Sequence, residues 1–437
     1  MTAADPAGLP HLPARSRLTI PSIDGFRGLA AVTVVLYHCF LGAGQPQLDE
    51  GPVRAVLAAG YMGVDFFFVI SGFVLFLPAV LNAGDIGHRR SYLLRRIARI
   101  GPGYYLFLFV ALALTPVFVD DAIPLPHEGS DGVMLFLSHL TFLQHHVGRL
   151  FGEPYALLAL SWTLTLEALF YVLLPYIARS FHRHPVRWLG GALAVSIAWR
   201  YAVTHAADTL GWLGAGGWDP TRLARAQLFL VTQFPSYLAH FALGMVAAWG
   251  FVRLRNRARQ VPAAVVVAVQ VASLVAVLLA MRIEGIRALT EVGYGPWTRT
   301  THVAVLFAAL LVATALAPAR FQWPVANPVS RWVGDVSYGT YLAHLMLVVV
   351  AIITLDFEPA NSWTAFLRMV AFVVPASLLA AWISFVLVER PARLWAARKS
   401  RAWAGDDTRR EEATSPPESR EAGGGRGAPA GDAMANQ

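Results

Sequence analysis

Residues 24–38 read DGFRGLAAVTVVLYH. The run has the apolar character of a membrane helix, yet it opens on Arg27 and carries His38 well inside. A charged or titratable group at bilayer depth costs roughly 2.5–3.5 kcal/mol on insertion scales, so such side chains should face a protein interior or a wet cavity. Positions 27 and 38 are eleven residues apart. At 3.6 residues per turn that is almost three turns, so both side chains project from one face, roughly 16 Å apart along the axis. Arg27 is expected near the cytoplasmic boundary and His38 near mid-membrane. A guanidinium at the mouth suits phosphate oxygens. A neutral imidazole deeper in the same channel can take a proton from a hydroxyl. The pair therefore points to a phosphorylated donor and to chemistry at the histidine. The competing reading has Arg27 snorkelling to headgroups and His38 bonding a neighbouring helix.

The rest of the chain supports a membrane setting. Of the 437 residues, 56% are hydrophobic and only 14% charged, against about 25% charged in soluble domains. The formal net charge of +8 follows from arginines at cytoplasmic loop ends and does not require nucleic acid. Cys39 is the single cysteine, so neither an internal disulfide nor a cysteine metal site can form.

Ten apolar runs are long enough to span: 27–44, 57–80, 103–119, 156–178, 188–204, 227–251, 261–281, 302–318, 336–354 and 366–388. Residues 133–143 are too short and are expected to be re-entrant or interfacial. Arginine-rich segments alternate with poorer ones: Arg15 and Arg17, then Arg89 to Arg99, Arg179 to Arg187, Arg253 to Arg259, Arg320 and Arg331, and Arg390 to Arg401 fall on one side. The opposite segments hold Asp120, Asp121, Glu128 and Asp131, or Asp356 and Glu358. The loop with Arg282, Arg287 and Arg299 is the exception. The expected fold is an all-α bundle of about ten transmembrane helices with both termini cytoplasmic. The expected domains are a cytoplasmic segment 1–22, a membrane domain 23–392 and a disordered tail 393–437.

Several fragments in order, IDGFRGLAAVTVVLYH, GYMGVDFFFVISGFVLF, RRSYLLRRIARIGPGYY, LSWTLTLEALFYVLLP, VSYGTYLAHLMLV and VERP, resemble the signatures of the membrane acyltransferase-3 family. The resemblance implies a ten-helix enzyme of the plasma (inner) membrane. It would move an acyl group, often acetyl, from cytoplasmic acyl-CoA to a hydroxyl of a sugar, a cell-envelope glycan or a secondary metabolite. An arginine and a histidine with ten residues between them is the family hallmark, which Arg27 and His38 match. The resemblance also assigns Arg96 and Arg99, one helical face at i and i+3, to the acyl-CoA, and matches Glu167 to the family's intramembrane glutamate. No metal is implied, and a homo-oligomer is compatible with it. Some relatives carry an extracytoplasmic hydrolase-like domain. Its place is taken here by a tail, which leads to the expectation of a small acceptor or a lipid-linked glycan.

Asp65 either orients His38, as the acid does in a Ser-His-Asp relay, or holds the bundle through an interhelical bond. Glu167 is a second acid/base candidate or an arginine partner. Trp162, Tyr171, Tyr341 and His344 are candidate substrate contacts; packing or interface anchoring is the alternative. Glu389 is expected to pair with a cytoplasmic arginine, with Pro391 ending its helix. Cys39 and the His145-His146 pair are expected to carry no chemistry. A rival class, a transporter or flippase, would use the same intramembrane groups as a proton relay; no internal repeat supports it. If the ten-span reading holds, a cytoplasm-dependent reporter is active at both termini and a periplasm-dependent one at neither; opposite signals at the two ends would exclude an even number of spans.

Overall fold

The computed structural model describes residues 20–46, 51–118, 130–145, 160–291, 300–354 and 362–414. Arg15, Arg17, Asp120, Asp121, Glu128, His146, Arg299, Asp356, Glu358 and the segment 415–437 lie outside these residues. Leaving single-turn pieces aside, the helices are α1 (Pro21–Gly42), α2 (Pro52–Ala58), α3 (Gly63–Leu81), α4 (Arg89–Phe118), α5 (Ser130–Leu140), α6 (Trp162–Arg183), α7 (Pro185–Thr204), α8 (Pro220–Val231), α9 (Phe234–Ala258), α10 (Ala263–Thr290), α11 (Thr301–Leu316), α12 (Ala319–Ala326), α13 (Pro328–Thr354), α14 (Trp363–Ser384) and α15 (Arg390–Thr414). No strand occurs among the described residues. In hydrocarbon the backbone must satisfy its own hydrogen bonds, which leaves the helix as the form for such apolar runs. Proline at the first turn of α1, α2, α7, α8 and α9 marks their starts, where a missing N–H costs nothing.

Each of the ten expected spans overlaps a helix, although 227–251 crosses the break between α8 and α9 and 57–80 begins in α2. Among the described residues, eight helical segments are long and apolar enough to cross a membrane. The other two are α11, with 16 residues, and α7, with 20 residues that include Arg187 and Arg200. The eleven-residue α5 is too short to span, as expected. Polarity is distributed as in a membrane protein: Asp65, Arg200, His240, Glu284 and His344 are each 3% exposed or less, while Val265, Val269, Leu278 and Ile283 of α10 face outward.

Three boundaries differ from expectation. The arginine-rich segment Arg89–Arg99 before the third span is not a connecting loop; it is the first part of the 30-residue α4. The tail is helical as far as Thr414. Its first part packs on α4, with Ala396 and Ser400 buried and Ser91 Oγ donating to the Ser400 carbonyl at 3.4 Å. Pro391 does not end a helix either. A single π-helical turn, Phe385–Glu389, joins α14 to α15. The wide turn restarts the ladder so that Pro391 falls in the first turn of α15, where its missing N–H is harmless.

Helices α1 and α13 approach closely. They run parallel with a constant offset: Gly28 meets Gly334, His38 meets His344, and Gly42 meets Val348. A Cβ on Gly334 would sit 1.9 Å from the Asp24 carbonyl oxygen, and one on Gly28 would sit 2.9 Å from the Gly334 nitrogen. Small residues allow such approach, and van der Waals contact holds it. The α3–α9 pair is similar, with Gly72 against Phe241 and Gly244 against Val69. Gly334→Val should therefore push α13 off α1 and cost about 1–3 kcal/mol. Thermal unfolding of the detergent-solubilised protein reads this directly, and an unchanged midpoint would contradict the close contact.

Candidate active site

Two cavities lie along α3 and α6. The inner one, of about 710 Å³, is lined by Arg27 of α1, Ser71 of α3, Arg96 and Arg99 of α4, Glu167 and Tyr171 of α6, and Tyr338 and Tyr341 of α13, among others. Three guanidinium groups and one carboxylate face this space. Glu167 is held by Tyr171, whose hydroxyl donates to Oε1 at 2.6 Å, and by Ser71 at 3.4 Å. Arg96 stacks near the rings of Tyr92 and Tyr171, and its Nε is buried with no hydrogen-bond partner among the described residues. Arg393 adds to the positive potential at Arg27, while Asp24 and Glu167 oppose it. Arg393 is itself tied to Glu389 at 2.5 Å, the expected cytoplasmic partner. The cavity thus keeps an excess of positive charge, in planar forks suited to phosphate oxygens.

The outer cavity, of about 440 Å³, is lined by Val34, Tyr37 and His38 of α1, Tyr61, Val64 and Asp65, Leu160 and Trp162, Tyr237 of α9, and Thr300. Val64 lines both cavities. Arg27 and His38 therefore face two adjoining spaces that meet at Val64. His38 also sits a little over one turn from the C-terminal end of α1, and so nearer the outer end of its helix than the expected midpoint.

Backbone carbonyls fix the tautomer of both site histidines. His38 Nδ1 lies 2.9 Å from the Val34 carbonyl oxygen, and His344 Nδ1 lies 3.2 Å from that of Thr340. A carbonyl only accepts, so each Nδ1 carries the proton and each Nε2 presents a lone pair. His344 Nε2 stands 3.3 Å from His38 Nδ1. His344 thus backs the ring of His38, leaving His38 Nε2 as the basic nitrogen.

Asp65 does not take that backing position. Its Oδ1 accepts from Thr300 at 2.7 Å and lies 2.7 Å from His240 Nε2. Arg200 donates to Thr300 at 3.1 Å and to the Ser236 carbonyl at 2.9 Å. The network ties α3, α7, α9 and the start of α11 together, the bundle-holding alternative for Asp65, although Asp65 still borders the outer cavity. His240 and Arg200 escape the sequence reading, yet each is an ionisable residue in an apolar run, the same signal that singles out His38. Of the aromatic candidates, Trp162 borders the outer cavity with His38, and Tyr171 and Tyr341 border the inner one. Tyr341 hydroxyl accepts from Thr163 at 3.1 Å and donates to the Leu160 carbonyl at 3.2 Å, which ties α13 to α6. Cys39 is buried among apolar side chains, and His145 is buried against Thr232 and Gln233.

A parallel-packed helical bundle with apolar exterior and ionisable groups around internal cavities defines a multi-pass membrane protein. Residues 20–386 match the Acyltransferase domain family, Acyl_transf_3, and the chain belongs to that family. It is similar to the peptidoglycan O-acetyltransferase OatA of Listeria monocytogenes, 26% identical over 389 residues, which is 86% of this chain and 56% of the relative. It is likewise similar to a Bacillus subtilis protein named "Putative peptidoglycan O-acetyltransferase YrhL", 25% identical over 392 residues, 86% of this chain and 55% of the relative. The chain thus spans about half the length of these curated relatives. No solved structure matches it.

Removing one member of a buried charged network leaves the others uncompensated, at a cost of about 3–5 kcal/mol. Asp65→Ala should therefore lower the unfolding midpoint markedly, and His240→Ala less, since a neutral imidazole leaves no charge behind. Equal midpoints for wild type and Asp65→Ala would remove the network from the stability of the fold.

Proposed function

We propose that the chain is a membrane O-acetyltransferase that takes a short acyl group from a CoA thioester and places it on a hydroxyl. The observation that carries this reading is the adjacency of an arginine-lined cavity and a cavity lined by His38 with a free Nε2 lone pair, both bordered by Val64. Arg27, Arg96 and Arg99 bind the donor's phosphates, with the thioester directed toward Val64. Their position beside the arginine-rich segments supports entry from the cytoplasm. The names of the relatives support a glycan hydroxyl as acceptor and the plasma membrane as location.

The chain's own groups account for the proton. His38 Nε2 takes the acceptor hydroxyl proton as the oxygen attacks the thioester carbonyl. The resulting imidazolium keeps Nδ1–H on the Val34 carbonyl and beside the His344 lone pair, which stabilises the positive ring. As the tetrahedral centre collapses, the C–S bond breaks and His38 returns the proton to the departing thiolate. Glu167, tied to Tyr171 and facing the arginines, moderates the positive field of the donor cavity and is not within the cavity of His38.

Base catalysis contributes about 10²–10⁴-fold. His38→Ala should lower kcat by that factor, read as free CoA released from acetyl-CoA plus a glycan acceptor by the purified protein, with no loss of membrane insertion. Arg96→Ala should instead raise KM for the donor about tenfold at nearly unchanged kcat, as loss of uniform binding does. Wild-type turnover by His38→Ala would remove the histidine from the reaction. A wild-type protein that moves a glycan across vesicles without releasing CoA would make it a transporter.

A further inference from the structure

A third cavity lies apart from the two that form the candidate site. It opens at the end of the bundle where α9, α11 and the start of α1 meet the start of α10. Arg255, Asn256 and Arg259 border it on one side. Phe251, Val266, Ala315 and Leu316 supply apolar walls. Among the described residues no acidic side chain lines it. Among the described residues neither arginine makes an ion pair, and Arg255 is partly buried in the cleft. The turn at 259–262 that joins α9 to α10 stands at its rim, which sets the arginines at the depth where apolar spans give way to connecting segments.

Two unpaired guanidinium groups above apolar walls, opening to the rim of a membrane bundle, match one kind of ligand. The geometry points to a binding site for an anionic phospholipid of the arginine-rich, inner leaflet. The phosphate sits between Arg255 and Arg259, and the acyl chains lie along Phe251, Val266 and Leu316. Basic pockets between membrane helices on the cytoplasmic side hold anionic headgroups in this manner. The chain segment 1–19, which continues from Ile20 at the edge of the cleft, carries Arg15 and Arg17. Its charge has the same sign as that of the cleft, so complementarity favours the lipid over that segment. The site is independent of the proposed transfer chemistry, since none of its lining residues borders the inner or outer cavity.

Native mass spectrometry of the purified full-length protein tests this. Phosphatidylglycerol and phosphatidylcholine of identical chains are offered in separate arms, and soluble CoA in a third. The wild type should retain phosphatidylglycerol in preference to phosphatidylcholine. The double variant Arg255→Ala/Arg259→Ala should lose that preference by roughly thirty-fold in affinity, at about 1 kcal/mol per basic side chain. Arg255→Lys/Arg259→Lys should keep most of it, and Arg183→Ala, on another cytoplasmic helix end, should keep all of it. A monodisperse chromatographic profile of each variant establishes that it is folded. Equal retention of the two lipids, or full retention by the double alanine variant, would overturn the assignment. Displacement of bound phosphatidylglycerol by CoA would also overturn it, since the cleft would then belong to the donor.

Discussion

Everything in the candidate site depends on how closely α1 approaches α13. The two backbones touch at Gly28 and Gly334, where a single Cβ would meet backbone atoms at 2.9 and 1.9 Å. With the helices parallel and in register at that point, residue 38 can only stand opposite residue 344. The imidazole pair at 3.3 Å is therefore a consequence of two glycines about three turns away.

The second organising force is the cost of charge in hydrocarbon. The bundle meets it in two ways. Asp65, His240, Thr300 and Arg200 meet in a buried network that cross-links four helices. Arg27, Arg96 and Arg99 are instead left facing a cavity with Glu167 as the single acid. The first arrangement is enclosed and structural. The second borders a cavity, where Arg96 Nε has no hydrogen-bond partner among the described residues.

Span positions were legible in the sequence because apolar run length is a direct response to bilayer thickness. Arg27, Arg96, Arg99 and Glu167 were legible as a group because helical spacing and the family likeness converge on them, and they do share one cavity. The partner of His38 was not. The sequence offers Asp65 for that place and His344 only as a substrate contact or packed histidine, whereas the α1–α13 offset sets His344 beside His38. His240 and Arg200 each stand alone in an apolar run outside the family fragments, and only the packing of α7 and α9 on α3 brings them to Asp65 and Thr300. The helical tail was missed because its composition is that of a solvated chain, whereas its order comes from packing on α4 at Ser91 and Ser400. The π-helical turn left no signal except a proline, which by itself reads as a stop.

That wide turn has a mechanical result. Through it, Trp363–Trp403 forms 41 residues of nearly unbroken helix, a rod of roughly 60 Å that leaves the bundle without a joint. Arg393 and its partner Glu389 ride on this rod, which Ser91 of α4 ties at Ser400. The positive charge that Arg393 adds near Arg27 is thereby carried by regular helix and not by a loop.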